Sequence, residues 1–194
     1  MGPQTAASAL VMAQTDVYNG RATPVLFSLT TTVYDATGAA VGAATSSANL
    51  SAGGWTRVYQ QVSLGASGPV HLWNTESSYL HTVGSALAVG GAAVDALTAS
   101  IGVRDAVWTP NTGFMLNGFK VPAQGFSNHQ DFGGVGTAVP DRINEFRVTS
   151  LRSLGANFWR TAHNPVNPEL LDYCDQHGVR CRGPRPRTTS APPP

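Results

Sequence analysis

The sequence predicts a multidomain β and α/β protein, an immunoglobulin-like β-sandwich followed by the opening of a parallel α/β domain. Two observations predict it. Over residues 1–111, alternating or β-branched runs recur at short intervals between Gly- and Asn-rich turn signals, which is the pattern of a sandwich. Over residues 125–168, two apolar strand-like runs flank an amphipathic helix pattern, and each run ends in polar residues. That is a strand, helix, strand unit. The expected organisation is a sandwich over residues 1–112, a parallel α/β part over residues 113–179, and a disordered Arg/Pro-rich tail over residues 180–194.

Composition narrows the function classes. The 194 residues, 42% of them hydrophobic, suffice for one or two domains with a sizeable core, and no apolar run is long enough to span a bilayer. The basic residues are 11 Arg and one Lys, Lys120, a compositional bias rather than a binding signature. Residues 1–179 carry 8 basic and 11 acidic side chains, a net charge of −3, and the tail supplies four Arg. A mildly acidic body has no electrostatic footprint for nucleic acid, so neither nucleic acid nor membrane is expected as a partner. Residues 1–20 lack a basic start, and their apolar run ALVMA is marginal as a secretory h-region, so no signal peptide is read. Cys174 and Cys181 are too few for a disulfide framework and lack metal-site spacing; Cys174 reads as a small core residue.

Taken in order, the strand runs fall at residues 10–18, 24–34, 39–44, 55–64, 81–89 and 95–108. Turn signals such as Asn19-Gly20, Gly53-Gly54 and Gly90-Gly91 separate them. The sandwich lacks a Cys, Trp, Cys core pattern, and Trp55 and Trp73 read as core or interface aromatics rather than a sugar platform. Residues 113–125 read as a hairpin turning at Asn117-Gly118, leading into a strand that ends at His129. Residues 141–154 place Ile143, Phe146, Leu151 and Leu154 along one helix face, with Pro140 near the first turn and Gly155 as the stop. A second helix has Asn167 as N-cap, Pro168 at the first position, a stripe of Leu170, Leu171 and Cys174, and Gly178 to close it. Glu145, Glu169, Asp172 and Asp175 fall on these helices as solvated side chains. From Arg180 the sequence RCRGPRPRTTSAPPP is not suited to the buried strand that should follow. It is read as a shifted or truncated continuation of a chain whose natural sequence stops near Val179.

Side chains at the carboxyl ends of successive parallel strands converge on one face. His129, Asp131, Arg160, His163 and Asn164 are therefore expected to meet.

The segments LWNTESSYL, IGVR, GFMLNG, GFSNHQD, VPDRINEFR, LGANFWRTAHNP and PELLDYCDQHG follow one another as in glycoside hydrolase family 2, which includes β-galactosidases, β-glucuronidases and β-mannosidases. The sequence resembles that family over residues 16–179, and NHQD followed by RTAHNP is its most specific part. The resemblance implies an immunoglobulin-like domain followed by the first quarter of a (β/α)8 TIM barrel, truncated. It also implies site roles. His129, Asp131, His163 and Asn164 would bind a carbohydrate substrate, and Arg160 would lie against the nucleophilic carboxylate and hold it ionised. Asn128 and Gln130 stand where Arg and Glu are frequent in the family, and Asn164 where Tyr is often found. Retaining hydrolysis needs two carboxylates about 5 Å apart. The family supplies both from later strands, so no catalytic residue is assigned here and the chain alone is expected to be inactive. No cofactor is implied. Two alternatives stand beside this one: a metal-dependent barrel hydrolase with His129, Asp131 and His163 as ligands, and a non-catalytic carbohydrate-binding or interaction module built on the sandwich.

Overall fold

Two compact units divide residues 5–182, the part of the chain that the computed structural model describes. The first comprises residues 5–72 and Leu80–Val103; the second comprises Trp73–Tyr79 and residues 104–182. The division falls after Val103 rather than at residue 112, and Trp73–Tyr79 group with the second unit.

In the first unit, β1 (Ala9–Tyr18) pairs antiparallel with β4 (Trp55–Leu64). A second sheet runs in the order β3 (Ala40–Leu50), β2 (Val25–Tyr34), β5 (His81–Val89), β6 (Ala92–Ile101), all antiparallel. The strands form where side chains alternate inward and outward, as a half-buried pleated surface requires. Phe27, Leu29, Thr31 and Val33 of β2 point inward, as do Gln60, Val62 and Leu64 of β4. The buried polar pair among them is satisfied across the sandwich. Thr31 Oγ1 donates to Gln60 Oε1 at 2.6 Å, and Gln60 Nε2 donates to the Leu29 and Ala44 carbonyls at 2.9 and 3.1 Å. Burial without those bonds costs about 1–3 kcal/mol per group.

The second unit opens with a small antiparallel sheet of β7 (Ala106–Thr109), β8 (Gly113–Leu116) and β9 (Phe119–Lys120). The expected hairpin turn is present at Asn117 and Gly118, whose φ values of 51° and 83° suit a type I′ connection. The run read as one strand over residues 95–108 is two, β6 and β7, separated at residues 102–105 and belonging to different units.

A parallel sheet follows, in which β10 (Gly125–Asn128), β11 (Phe158–Thr161) and β12 (Arg180–Arg182) lie side by side. Helix α1 (Asp141–Ser153) links β10 to β11, and α2 (Pro168–Gln176) links β11 to β12. These are successive βα repeats, and among the described residues they do not close a barrel. Val148, Trp159, Leu170, Cys174 and Val179 form the core between sheet and helices, with Cys181 packed against it.

Three expectations about these elements need correction. Helix α1 buries Asn144 and Val148, with Leu151 beside them, while Phe146 is 60% and Leu154 74% exposed. Residues 144, 148 and 151 share a stripe rotated from the expected one, and only Leu151 is common to both. Helix α2 buries Leu170 and Cys174 but leaves Leu171 40% exposed, and Asn167 occupies the N-cap without a side-chain cap hydrogen bond. Arg180–Arg182 form a strand, against the reading that no strand follows Val179. Arg180 N–H donates to the Asn157 carbonyl at 2.9 Å, and Cys181 fills the helix-facing position. The arginines stack on aromatic rings, with the Arg180 guanidinium 3.8 Å from the Phe114 centroid and Arg182 5.7 Å from that of Trp108. Backbone pairing and cation–π contact replace the apolar side chains that a barrel strand ordinarily carries. The remainder of the expected tail lies outside the described residues.

Asp175 also differs from its reading as a solvated acid. Its carboxylate lies 3.4 Å from Arg104 Nη1, and burial pushes its pKa up against the pull of that arginine.

Candidate functional site

The site residues follow from the register of β10 and β11. Parallel pairing sets Ser127 opposite Arg160 and Asn128 opposite Thr161, and the Ala162 N–H donates to the Asn128 carbonyl at 2.8 Å. His129 and His163 therefore leave their strands at the same end of the sheet. Their rings lie 5.6 Å apart between centroids and meet edge to face at 83°. The peptide bond between Ala162 and His163 is cis.

Arg160 ties the two strands together. Its Nη1 donates to Ser127 Oγ at 2.9 Å and lies 3.3 Å from His163 Nδ1. A guanidinium can only donate, so Nδ1 is the acceptor and the neutral His163 ring carries its proton on Nε2. That leaves Nε2–H as the donor of the ring.

The loop after β10 is anchored from α1. Arg147 Nη2 donates to the His129 carbonyl, and its guanidinium stacks 5.2 Å from the Trp159 centroid. Burial lowers the Arg147 pKa, and the charge of Asp131 opposes that effect. Asp131 is thus within electrostatic reach of the group that holds His129. Of the five residues read from sequence, the structure brings His163 into contact with both His129 and Arg160 and sets Asp131 within electrostatic reach of Arg147, which holds the His129 carbonyl. Asn164 follows His163 on the exposed chain, and no side-chain hydrogen bond among the described residues joins it to the other four.

Sequence reasoning missed Ser127 and Arg147. Ser127 was legible as the residue two before His129 on a strand, hence on the same face. Arg147 had no comparable signal, because a helix arginine is ordinarily solvated. The metal reading is not supported by the geometry: no three His, Cys, Asp or Glu side chains among the described residues are placed to hold an ion.

Fold and site together define a class, a β-sandwich preceding the opening βα repeats of a TIM barrel with polar side chains at the carboxyl ends of its strands. The family follows from direct comparison. Residues 3–104 match the family model described as "Glycosyl hydrolases family 2", and residues 107–181 match "Glycosyl hydrolases family 2, TIM barrel domain". The chain belongs to glycosyl hydrolase family 2. It is 36% identical over 107 residues to the β-galactosidase BoGH2A of Bacteroides ovatus, a match covering 55% of this chain and 13% of that protein. It is 35% identical over 109 residues to a β-glucuronidase of Bacteroides fragilis, covering 56% and 16% respectively. Among solved structures, a family 2 member from Bacteroides cellulosilyticus superposes with a TM-score of 0.86 at 28% identity, over 92% of this chain and 24% of that one. The chain thus spans less than a fifth of the length of these two curated relatives.

Proposed function

We propose that residues 125–164 form the glycone-binding half of a retaining β-glycosidase site that acts on β-galactoside- or β-glucuronide-like sugars. Support comes from the contacts of His163 with His129 and with Arg160 at the carboxyl ends of adjacent parallel strands. In this reading His129, Asp131, His163 and Asn164 hydrogen-bond sugar hydroxyls. Asp131 accepts, and His163 donates from Nε2. Arg160 presents its charge toward the position of the nucleophilic carboxylate, which keeps that group ionised. Retaining hydrolysis proceeds by attack of one carboxylate on the anomeric carbon while a second protonates the leaving oxygen, then by attack of water on the glycosyl-enzyme. Neither carboxylate is supplied by the site residues of this chain. Glu169 and Asp172 are exposed on α2, and Asp175 is paired with Arg104. The chain alone is therefore proposed to bind the sugar without hydrolysing it.

The test is a histidine-detected NMR titration with methyl β-galactoside and methyl β-glucuronide, run beside an aryl β-glycoside assay. Shifts at His129 and His163 that disappear in Asp131→Ala, with no turnover, are the expected result. Turnover by the chain alone, or the absence of any shift at either histidine, would overturn the reading.

A further inference from the structure

The outward face of β1 and β4 is not a generic sandwich surface. Register sets Tyr18 opposite Trp55, Asp16 opposite Arg57, Gln14 opposite Tyr59 and Met12 opposite Gln61. The three rings stand in solvent, with Tyr18 48%, Trp55 39% and Tyr59 64% exposed. Trp55 is thus outside the core, which leaves only the interface half of its reading as a core or interface aromatic. Between the rings, Arg57 Nε and Nη2 donate to the two Asp16 carboxylate oxygens at 2.6 and 2.8 Å, and the guanidinium lies 6.0 Å from the Trp55 centroid.

We infer that this face is a binding platform for a neutral oligosaccharide chain, separate from the βα site. Trp55 and Tyr59 are four residues apart on one strand, roughly 13 Å at about 3.3 Å per residue. That spacing is suited to a chain of linked sugars rather than a single ring. The C–H face of a pyranose stacks on the electron-rich face of an aromatic ring, and its edge hydroxyls then reach planar polar groups beside the ring. Gln14, Gln61 and the Asp16–Arg57 pair supply those groups, and each bound carboxylate oxygen of Asp16 retains an accepting lone pair.

Charge selects the occupant. Asp16 and Arg57 cancel and the other members of the face are uncharged, so nothing favours a polyanion. A protein partner would have to desolvate the ion pair at the centre of its interface, where charged residues are depleted and their burial is costly. A hydrated sugar leaves the pair in contact with water. The choice of sugar as ligand class rests on the proposed function, whereas the platform geometry does not.

The experiment is affinity electrophoresis of the chain in native gels containing a neutral β-linked galactan or glucan, compared with a polyuronate. We expect retardation by a neutral polymer only. Trp55→Thr and Tyr59→Thr, which place a strand-compatible β-branched residue at each position, should each raise the apparent dissociation constant by about tenfold, equivalent to about 1.4 kcal/mol. Tyr59→Phe retains the ring and should retain binding, which separates loss of stacking from loss of fold. Retardation abolished by His163→Ala but not by the platform variants would overturn the platform while supporting the βα site. Absence of retardation, retardation by the polyuronate alone, or self-association that Trp55→Thr abolishes would overturn the platform as well.

Discussion

Trp73 Nε1 donates a 2.7 Å hydrogen bond to the main-chain carbonyl of Asp175, joining residues 102 positions apart in the sequence. The indole is fully buried, and the Arg104 guanidinium lies 4.4 Å from its centroid. A residue inside the stretch read as sandwich is therefore a core element of the βα unit, lying against the C-terminal end of α2. Trp73→Ala should cost about 3–5 kcal/mol and Trp73→Phe, which loses the hydrogen bond and a ring, noticeably less. Amide exchange checks it: protection of Leu170 and Cys174 should fall while that of Val33 and Val62 holds. Loss confined to the Val33 and Val62 amides would contradict the assignment.

The sandwich should weaken on mild acidification. His81 is buried in the first unit beside a cavity of about 190 Å³ that Asp35 and His71 also line. Burial lowers its pKa first, the nearby His71 lowers it further, and Asp35 opposes both. The folded pKa thus lies below the unfolded value of about 6.5, so folding favours the neutral ring. The stabilisation is complete above about pH 6.5 and is lost as pH falls through that value toward the lower folded pKa, with a limiting slope of about 1.4 kcal/mol per pH unit. Asp16 and Asp35 have lowered pKa values, so their contributions persist through this window and are lost only at more acidic pH. Urea midpoints followed from pH 7.5 to 5 should decline, and His81→Gln should flatten the curve. A wild-type curve already flat would remove His81 from this role.

Gly125 admits no side chain. A Cβ there would stand 1.6 Å from the Phe158 carbonyl oxygen, so even Ala forces β10 away from β11. Gly125→Ala should cost about 1–3 kcal/mol, as overpacking does, and should separate His129 from His163. The Ala162 amide, bonded to the Asn128 carbonyl, reports it through faster exchange and a lost cross-strand contact. Unchanged protection of that amide would mean the strands tolerate the methyl.

Arg147 positions His129 through a backbone carbonyl. A charge-assisted bond of this kind is worth about 1.5–3 kcal/mol, and removing the donor frees the loop that carries His129 and Asp131. Arg147→Met should accelerate amide exchange over residues 129–131 and weaken the histidine response to a methyl glycoside. Arg147→Lys should not rescue either, because an ammonium cannot both stack flat on Trp159 and reach the carbonyl. Rescue by Lys would reduce Arg147 to a simple positive charge.

The local sequence carried the elements and the candidate residues of the proposed site. Period-two alternation located the sandwich strands, Asn117-Gly118 forced its turn, and Pro168 with Gly178 bracketed α2. NHQD and RTAHNP pointed to His129, Arg160 and His163 as candidates, because these residues stand at the ends of strand-like runs and resemble the family's segments. Tertiary structure decided what local sequence leaves degenerate. The sequence of α1 offers two apolar stripes, and only the packing of Val148 and Asn144 against the sheet chose between them. Trp55 and Trp73 are equivalent as letters, yet one lines an outward sheet face and the other is buried under α2, because burial is set by neighbours distant in sequence. Arg180–Arg182 read as unfit for a strand by composition, but an open parallel edge at β11 supplied hydrogen-bond partners and the Trp108 and Phe114 rings took the guanidinium groups. Side-chain preference is a local property of the chain, whereas the edge and the rings that outweighed it exist only once distant segments have come together.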